Sequence, residues 1–143
     1  MSSVLELGYR YIIPSLRRRL VEILHQELKL GKIEVARKLG ISPSAVSRYL
    51  SRERGATLDV SKIPPVDSWL RKLAEGIARG DLDAYATEEE LLEVALRAAA
   101  LRLFCSYHLS YFGVDPLKCR ICPKLFGHLL QGSTGDQVIA HLR

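Results

Sequence analysis

The chain has 143 residues, a net charge of +5 from 21 Lys/Arg against 16 Asp/Glu, and 48% hydrophobic residues. No long uninterrupted apolar run occurs, which argues against a membrane-spanning helix. The N-terminus has no basic region leading into an apolar block and cleavage site, which argues against secretion. A soluble cytoplasmic protein with one core, or a small domain with a helical appendage, is expected.

The charge is uneven. Residues 1–62 hold 12 Lys/Arg against 6 Asp/Glu, whereas residues 63–143 hold 9 against 10. Basicity therefore concentrates in the first part, as in a segment that meets phosphate. The chain has no asparagine, one methionine, and 14 arginines against 7 lysines; scarce thermolabile side chains are a habit of heat-adapted proteins.

Taken in chain order, the first expected helix covers about residues 10 to 29, with Ile12, Ile13, Leu16, Leu20, Ile23, Leu24 and Leu28 at helical spacing. Pro14 falls in its first turns or marks its start. Arg17, Arg18 and Arg19 cannot share one helix face, so at least one is expected on the exposed surface.

Residues 31 to 51, GKIEVARKLGISPSAVSRYLS, read as a helix-turn-helix. The first helix spans Lys32 to Leu39 and packs through Val35, Ala36 and Leu39. Gly40 supplies the positive φ of a tight turn. Ser42 is an N-cap, and Pro43 sits at the first helical position, where its missing N–H costs nothing. Ala45, Val46, Tyr49 and Leu50 form the packing side of the second helix, leaving Ser44, Ser47, Arg48 and Ser51 outward. A loop from Gly55 to Pro65 follows, and Pro64-Pro65 blocks helix continuation.

Val66 to Gly80 reads as an amphipathic helix through Val66, Trp69, Leu70, Leu73 and Ile77. Thr87 and Glu90 have the spacing of a capping box opening a long helix to about Ser110. Its Ala95 and Ala98 to Ala100 suit close packing, either across a homodimer or onto the Val66 to Gly80 helix. No alternating pattern persists long enough for a strand. The expected fold is all-α, with a helix-turn-helix domain over 1–62 and a helical dimerisation or regulatory region over 63–143.

Cys105, His108, Cys119 and Cys122 follow a Cys-x2-His-x10-Cys-x2-Cys spacing. Three sulfurs and an imidazole complete a closed zinc shell, a structural site rather than a catalytic one. Pro123 after the last cysteine also matches the Cys-Pro ending of some iron–sulfur motifs. A disulfide and unligated thiols are the other readings. His128 is an alternative to His108, whereas His25 and His141 read as ordinary histidines. No phosphate-binding glycine loop, nucleophile elbow or HExxH motif occurs, so no enzyme is expected.

Glu34 to Gly55, EVARKLGISPSAVSRYLSRERG, resembles the helix-turn-helix of the lambda-repressor/Cro superfamily. It is most similar to small archaeal regulators, which carry a stretch of the form EVAKKLGISQAAVSQYLSGKRG. Tyr11 to Leu24 resembles the helix that opens those proteins, so the likeness covers roughly residues 5 to 65. Those regulators often end in a cysteine pair like Cys119-x2-Cys122, whereas Cys105 and His108 lie outside the resemblance. Some archaeal proteins fuse such a domain to a thiamine-phosphate synthase domain, for which this chain is too short.

The resemblance implies a sequence-specific regulator binding double-stranded DNA, with Pro43 to Ser51 in the major groove. It implies Ser44, Ser47 and Arg48 as base readers, Ser42 at a phosphate, and Lys32, Arg37, Arg52 and Arg54 as further phosphate contacts. Two departures stand out. Lys32 replaces a common glutamine that braces the recognition helix, and Ile33 occupies a usually polar position. The rival readings are a metal- or redox-sensing regulator and an interaction module for protein or RNA.

Overall fold

The computed structural model describes residues 2–131, within which all regular structure is helical. Helix α1 runs unbroken through residues 4–27. It is α-helical at Val4–Leu7 and Ile13–Glu22, and π-helical at Gly8–Ile12 and Ile23–Glu27. It starts earlier than its periodicity suggested because Ser3 caps it, the hydroxyl accepting from the Glu6 amide at 3.4 Å. That Ser-x-x-Glu start signal stands in the sequence. Pro14 lies inside the helix. Its ring lacks an N–H and crowds the carbonyl one α-turn back, and the wider π-turn of Gly8–Ile12 directly precedes it. The helix ends where Lys29 turns left-handed, and His25 Nδ1 donates to the Leu30 carbonyl at 2.7 Å.

Helices α2 (Lys32–Leu39) and α3 (Pro43–Leu50) are joined by a tight turn with Gly40 at φ 69°. The Ile41 amide closes the end of α2 on the Ala36 carbonyl at 3.0 Å. Ser42 Oγ accepts from the Ala45 amide at 3.1 Å, capping α3. A 3-10 turn at Val60–Lys62 leads into α4, Pro64–Ala78. The proline pair does not delay α4 but forms its first turn, where missing N–H groups leave no bond unmade.

Helix α5 spans Ala84–Ala100, α6 spans Cys105–Phe112, and α7 spans Ile121–Phe126 with a 3-10 turn after it at Gly127–Leu130. The expected single helix to Ser110 is thus two helices. Residues 101–104 form a turn in which Arg102 takes φ 64°, and the Leu103 amide returns to the Ala98 carbonyl at 3.0 Å. Such a left-handed cap usually falls on glycine. Here an arginine adopts it, its guanidinium donating to the Cys119 carbonyl at 2.8 Å and to that of Pro116.

The core lies along α1. Leu16, Leu20, Val21 and Leu24 are buried against Val35, Val46, Leu58, Val66, Leu70, Leu73, Ile77 and Leu91, so residues from both sides of position 62 share one hydrophobic cluster. The alanine-rich part of α5 is consumed inside the chain: Ala95, Ala98, Ala99 and Ala100 are buried, and α5 packs against α1, α2, α4 and α7.

None of the three consecutive arginines lies on an open surface, contrary to the sequence expectation. Arg17 pairs with Glu88 on α5 at 2.8 Å, and Arg19 with Asp67 on α4 at 2.7 Å. Arg18 is buried, pairs with Glu22, and donates to the Gly55 carbonyl at 2.6 Å and the Leu58 carbonyl at 3.4 Å. Removing it would strand Glu22 and two carbonyls. Arg18→Ala is therefore expected to cost about 3–5 kcal/mol in urea unfolding. Arg17→Ala breaks only a half-exposed pair and should cost about 0–1 kcal/mol. Equal losses would show that Arg18 is no anchor.

The proposed capping pair also has another role. Helix α5 is capped one turn upstream by Asp83, which accepts from the Ala86 amide at 2.8 Å, while Thr87 and Glu90 face the core. The physical reason is spacing: positions 87, 90, 91, 94 and 98 form the buried stripe of α5. Thr87 Oγ1 and Glu90 Oε2 have no hydrogen-bond partner among the described residues. Burial, with Glu93 and Glu89 nearby, pushes the Glu90 carboxyl up from 4.5 to about 8, against the pull of Arg97.

The folded state therefore holds this proton more tightly than the unfolded chain. Its contribution to stability is complete below about pH 4.5 and is lost as pH rises through about 8. Glu90→Gln keeps a neutral side chain at every pH. Its stability relative to wild type should rise steadily from pH 5 to pH 8 in parallel denaturation curves. Curves that keep a constant separation would show an ordinary carboxyl.

Candidate nucleic-acid interface and thiol cavity

Helix α3 presents two faces. Ala45, Val46 and Tyr49 are buried, while Ser42, Ser44, Ser47 and Arg48 are exposed. Pro43 and the Ser42 cap set the first turn, so the outward serines begin directly at the helix start. Ser44 Oγ lies 3.1 Å from Ser42 Oγ, so both hydroxyls sit together at the positive end of α3. After α3 the chain turns through Arg52 at φ 65°, and the Arg54 amide bonds to the Arg48 carbonyl at 3.3 Å.

All eight candidate DNA-binding residues, Lys32, Arg37, Ser42, Ser44, Ser47, Arg48, Arg52 and Arg54, are exposed. No ion pair engages Lys32, Arg37, Arg48, Arg52 or Arg54 among the described residues, whereas Arg17, Arg18, Arg19, Arg71 and Arg79 all have carboxylate partners. Ile33, beside Lys32, is 75% exposed and finds no cover among the described residues.

The segment after α3 is held to the rest of the fold at Gly55. Its φ is 71°, and an added Cβ would lie 2.8 Å from Arg18 Cβ and against the Pro14 carbonyl. Only a bare backbone fits there. The turn before α3 is also buttressed, since a Cβ on Gly40 would meet that of Ala84 at 3.2 Å. Both ends of α3 are thus positioned by α1 and α5.

Apart from this face, Cys105, His108, Cys119 and Cys122 line one cavity of about 480 Å³. Cys105 opens α6 and His108 lies one turn on; Cys119 precedes α7 and Cys122 lies in its first turn. The three thiols are free rather than disulfide-bonded. No three Cys, His, Asp or Glu side chains among the described residues stand close enough to hold one metal ion as placed.

Burial first, then Cys105 and Cys119, push the Cys122 thiol up to about 11, with Arg102 opposing. His108 Nε2 lies 3.0 Å from the Ser2 carbonyl, which ties the start of α1 to the cavity wall. His128 does not line this cavity, and His141 lies outside the described residues. Sequence reasoning missed Arg102 and the segment Ser2–Leu5 as cavity walls. Neither carries a local signal, because both arrive through long-range packing.

Comparison of the chain with protein-family models, curated proteins and solved structures finds no match.

Proposed function

We propose that this protein is a sequence-specific, DNA-binding transcriptional regulator rather than an enzyme, acting in the cytoplasm. In this reading α2 and α3 form a helix-turn-helix, with α3 in the major groove. The observation that carries it is the set of six cations on α2, α3 and the following turn, Lys38 among them, that have no internal ion pair among the described residues. A cation left unneutralised on a surface with a net positive charge is available to phosphate. Among the described residues no helix is long and apolar enough to cross a membrane.

Roles follow from position. Lys32 and Arg37 on α2, and Arg52 and Arg54 beyond α3, flank the proposed reading face and contact the DNA backbone. Ser42 approaches phosphate at the start of α3. Ser44, Ser47 and Arg48 face the base edges. A serine hydroxyl both donates and accepts, so it separates bases poorly; a guanidinium on guanine O6 and N7 does so well. Arg48 therefore carries most of the direct readout. One short helix offers few contacts, and a homodimer on two half-sites supplies the rest. Sedimentation of the full chain should accordingly give twice the mass of one chain.

Lys32→Ala and Arg52→Ala should each weaken binding to all duplexes by similar factors. Each should lower the slope of log K against log salt by about 1, since each removes one phosphate neutralisation. If both slopes stay unchanged, α2 and the turn after α3 do not face the backbone. Absence of any salt-sensitive duplex binding would favour a protein-interaction module, for which the exposed Ile33 is the natural contact.

Arg48→Ala should behave differently. It should cost about 1–3 kcal/mol on the preferred site, found by selection from random or genomic fragments, with little change in nonspecific affinity. Uniform weakening on all sequences would make Arg48 a backbone contact.

A further inference from the structure

The cavity between α6, α7 and the start of α1 is not used by the proposed DNA-binding face. Its volume of about 480 Å³ lies in the range of small-ligand sites. Its walls are mostly apolar, from Val4, Val114, Ile121 and Phe126, and the soft donors are Cys105, Cys119, Cys122 and His108. Among the described residues no carboxylate lines it, and Arg102 is the one permanently charged wall residue. Hard cations need oxygen ligands, so this donor set selects soft, thiolate-seeking centres.

Size then decides between a single ion and a larger group. Around one tetrahedral zinc, bonds of about 2.3 Å put the sulfurs roughly 3.8 Å apart. No group of three donors that would hold a single ion occurs among the described residues, yet these four side chains surround a common space. A polynuclear cluster gives each thiolate its own iron, so its ligands stand farther apart. Three thiolates also bring negative charge into an apolar wall, and Arg102, held by the Cys119 and Pro116 carbonyls, stands there to offset it.

We propose that this cavity holds an iron–sulfur cluster ligated by Cys105, Cys119 and Cys122, with His108 beside its remaining corner. The inference does not rest on the DNA-binding reading. The turn at residues 101–104 is what makes the site: it directs α6 away from α5 and so brings Cys105 to the chain segment that carries Cys119 and Cys122.

The test is anaerobic reconstitution of the full chain with ferrous and ferric iron and sulfide, followed by desalting. Bound iron, acid-labile sulfide, zinc and broad visible absorbance are then measured. The expected result is iron and sulfide in equal amounts, several atoms of each per chain, with brown colour. Cys105→Ser, Cys119→Ser and Cys122→Ser should each lose most of the iron and colour while retaining helical circular dichroism.

The wild-type stoichiometry stands even where a variant fails to fold. A colourless protein carrying one zinc per chain would overturn the proposal. So would a chain whose three thiols stay fully titratable after reconstitution, or a Cys105→Ser variant that keeps the full iron content.

Discussion

A buried guanidinium organises the N-terminal half of this protein. Arg18 sits inside α1 and reaches the Gly55 and Leu58 carbonyls, which belong to the segment leaving α3. A loop passing over a core must satisfy its carbonyls without water. One arginine does so here for two of them, and Glu22 balances its charge. Gly55 lets the loop backbone come down onto Pro14 and Arg18, where any side chain would collide. The placement of α3 thus depends on a polar contact within a largely apolar core.

This arrangement separates two populations of arginine. Arg17, Arg18, Arg19 and Arg71, on α1 and α4, are spent on the fold, clipping α1 to α4 through Asp67 and to α5 through Glu88. Those on α2, α3 and the next turn have no such partners among the described residues. Unpaired cations on the exposed faces of two short helices give a positive surface that attracts an anion. The proposed regulator therefore uses one residue type for two ends, and the difference lies in whether a carboxylate stands within reach.

The C-terminal half is shaped by a different device. Arg102 takes a left-handed conformation that costs a non-glycine residue about 1–2 kcal/mol, and its bonds to the Cys119 and Pro116 carbonyls offset that cost. The same residue ends the helical path of α5, fastens the loop before α7, and lines the thiol cavity. Helix termination and cavity formation are therefore one event. The buried Glu90 and Thr87, a few turns earlier on α5, show that this helix also tolerates unpaired polar atoms in its packed stripe.

Much of this was legible in the residues themselves. Periodicity, the Ser42 cap, Pro43 and Gly40 determined α2, the turn and α3, because each of those signals acts within one helical turn. The apolar spacing of α1 and α4 and the clustering of cysteines were equally local. Three features were decided only by tertiary structure. At least one of Arg17, Arg18 and Arg19 reads as surface charge until Glu88, Gly55 and Asp67 arrive from distant segments. Thr87 and Glu90 matched a capping pattern, yet Asp83 caps α5 and the packing stripe draws both residues inward. The run from Ala98 to Ser110 contains no glycine or proline, so no local propensity marks its break. Arg102 turns there because its guanidinium finds carbonyls some 14 and 17 residues along the chain, and contacts at such separations leave no trace in any short window of sequence.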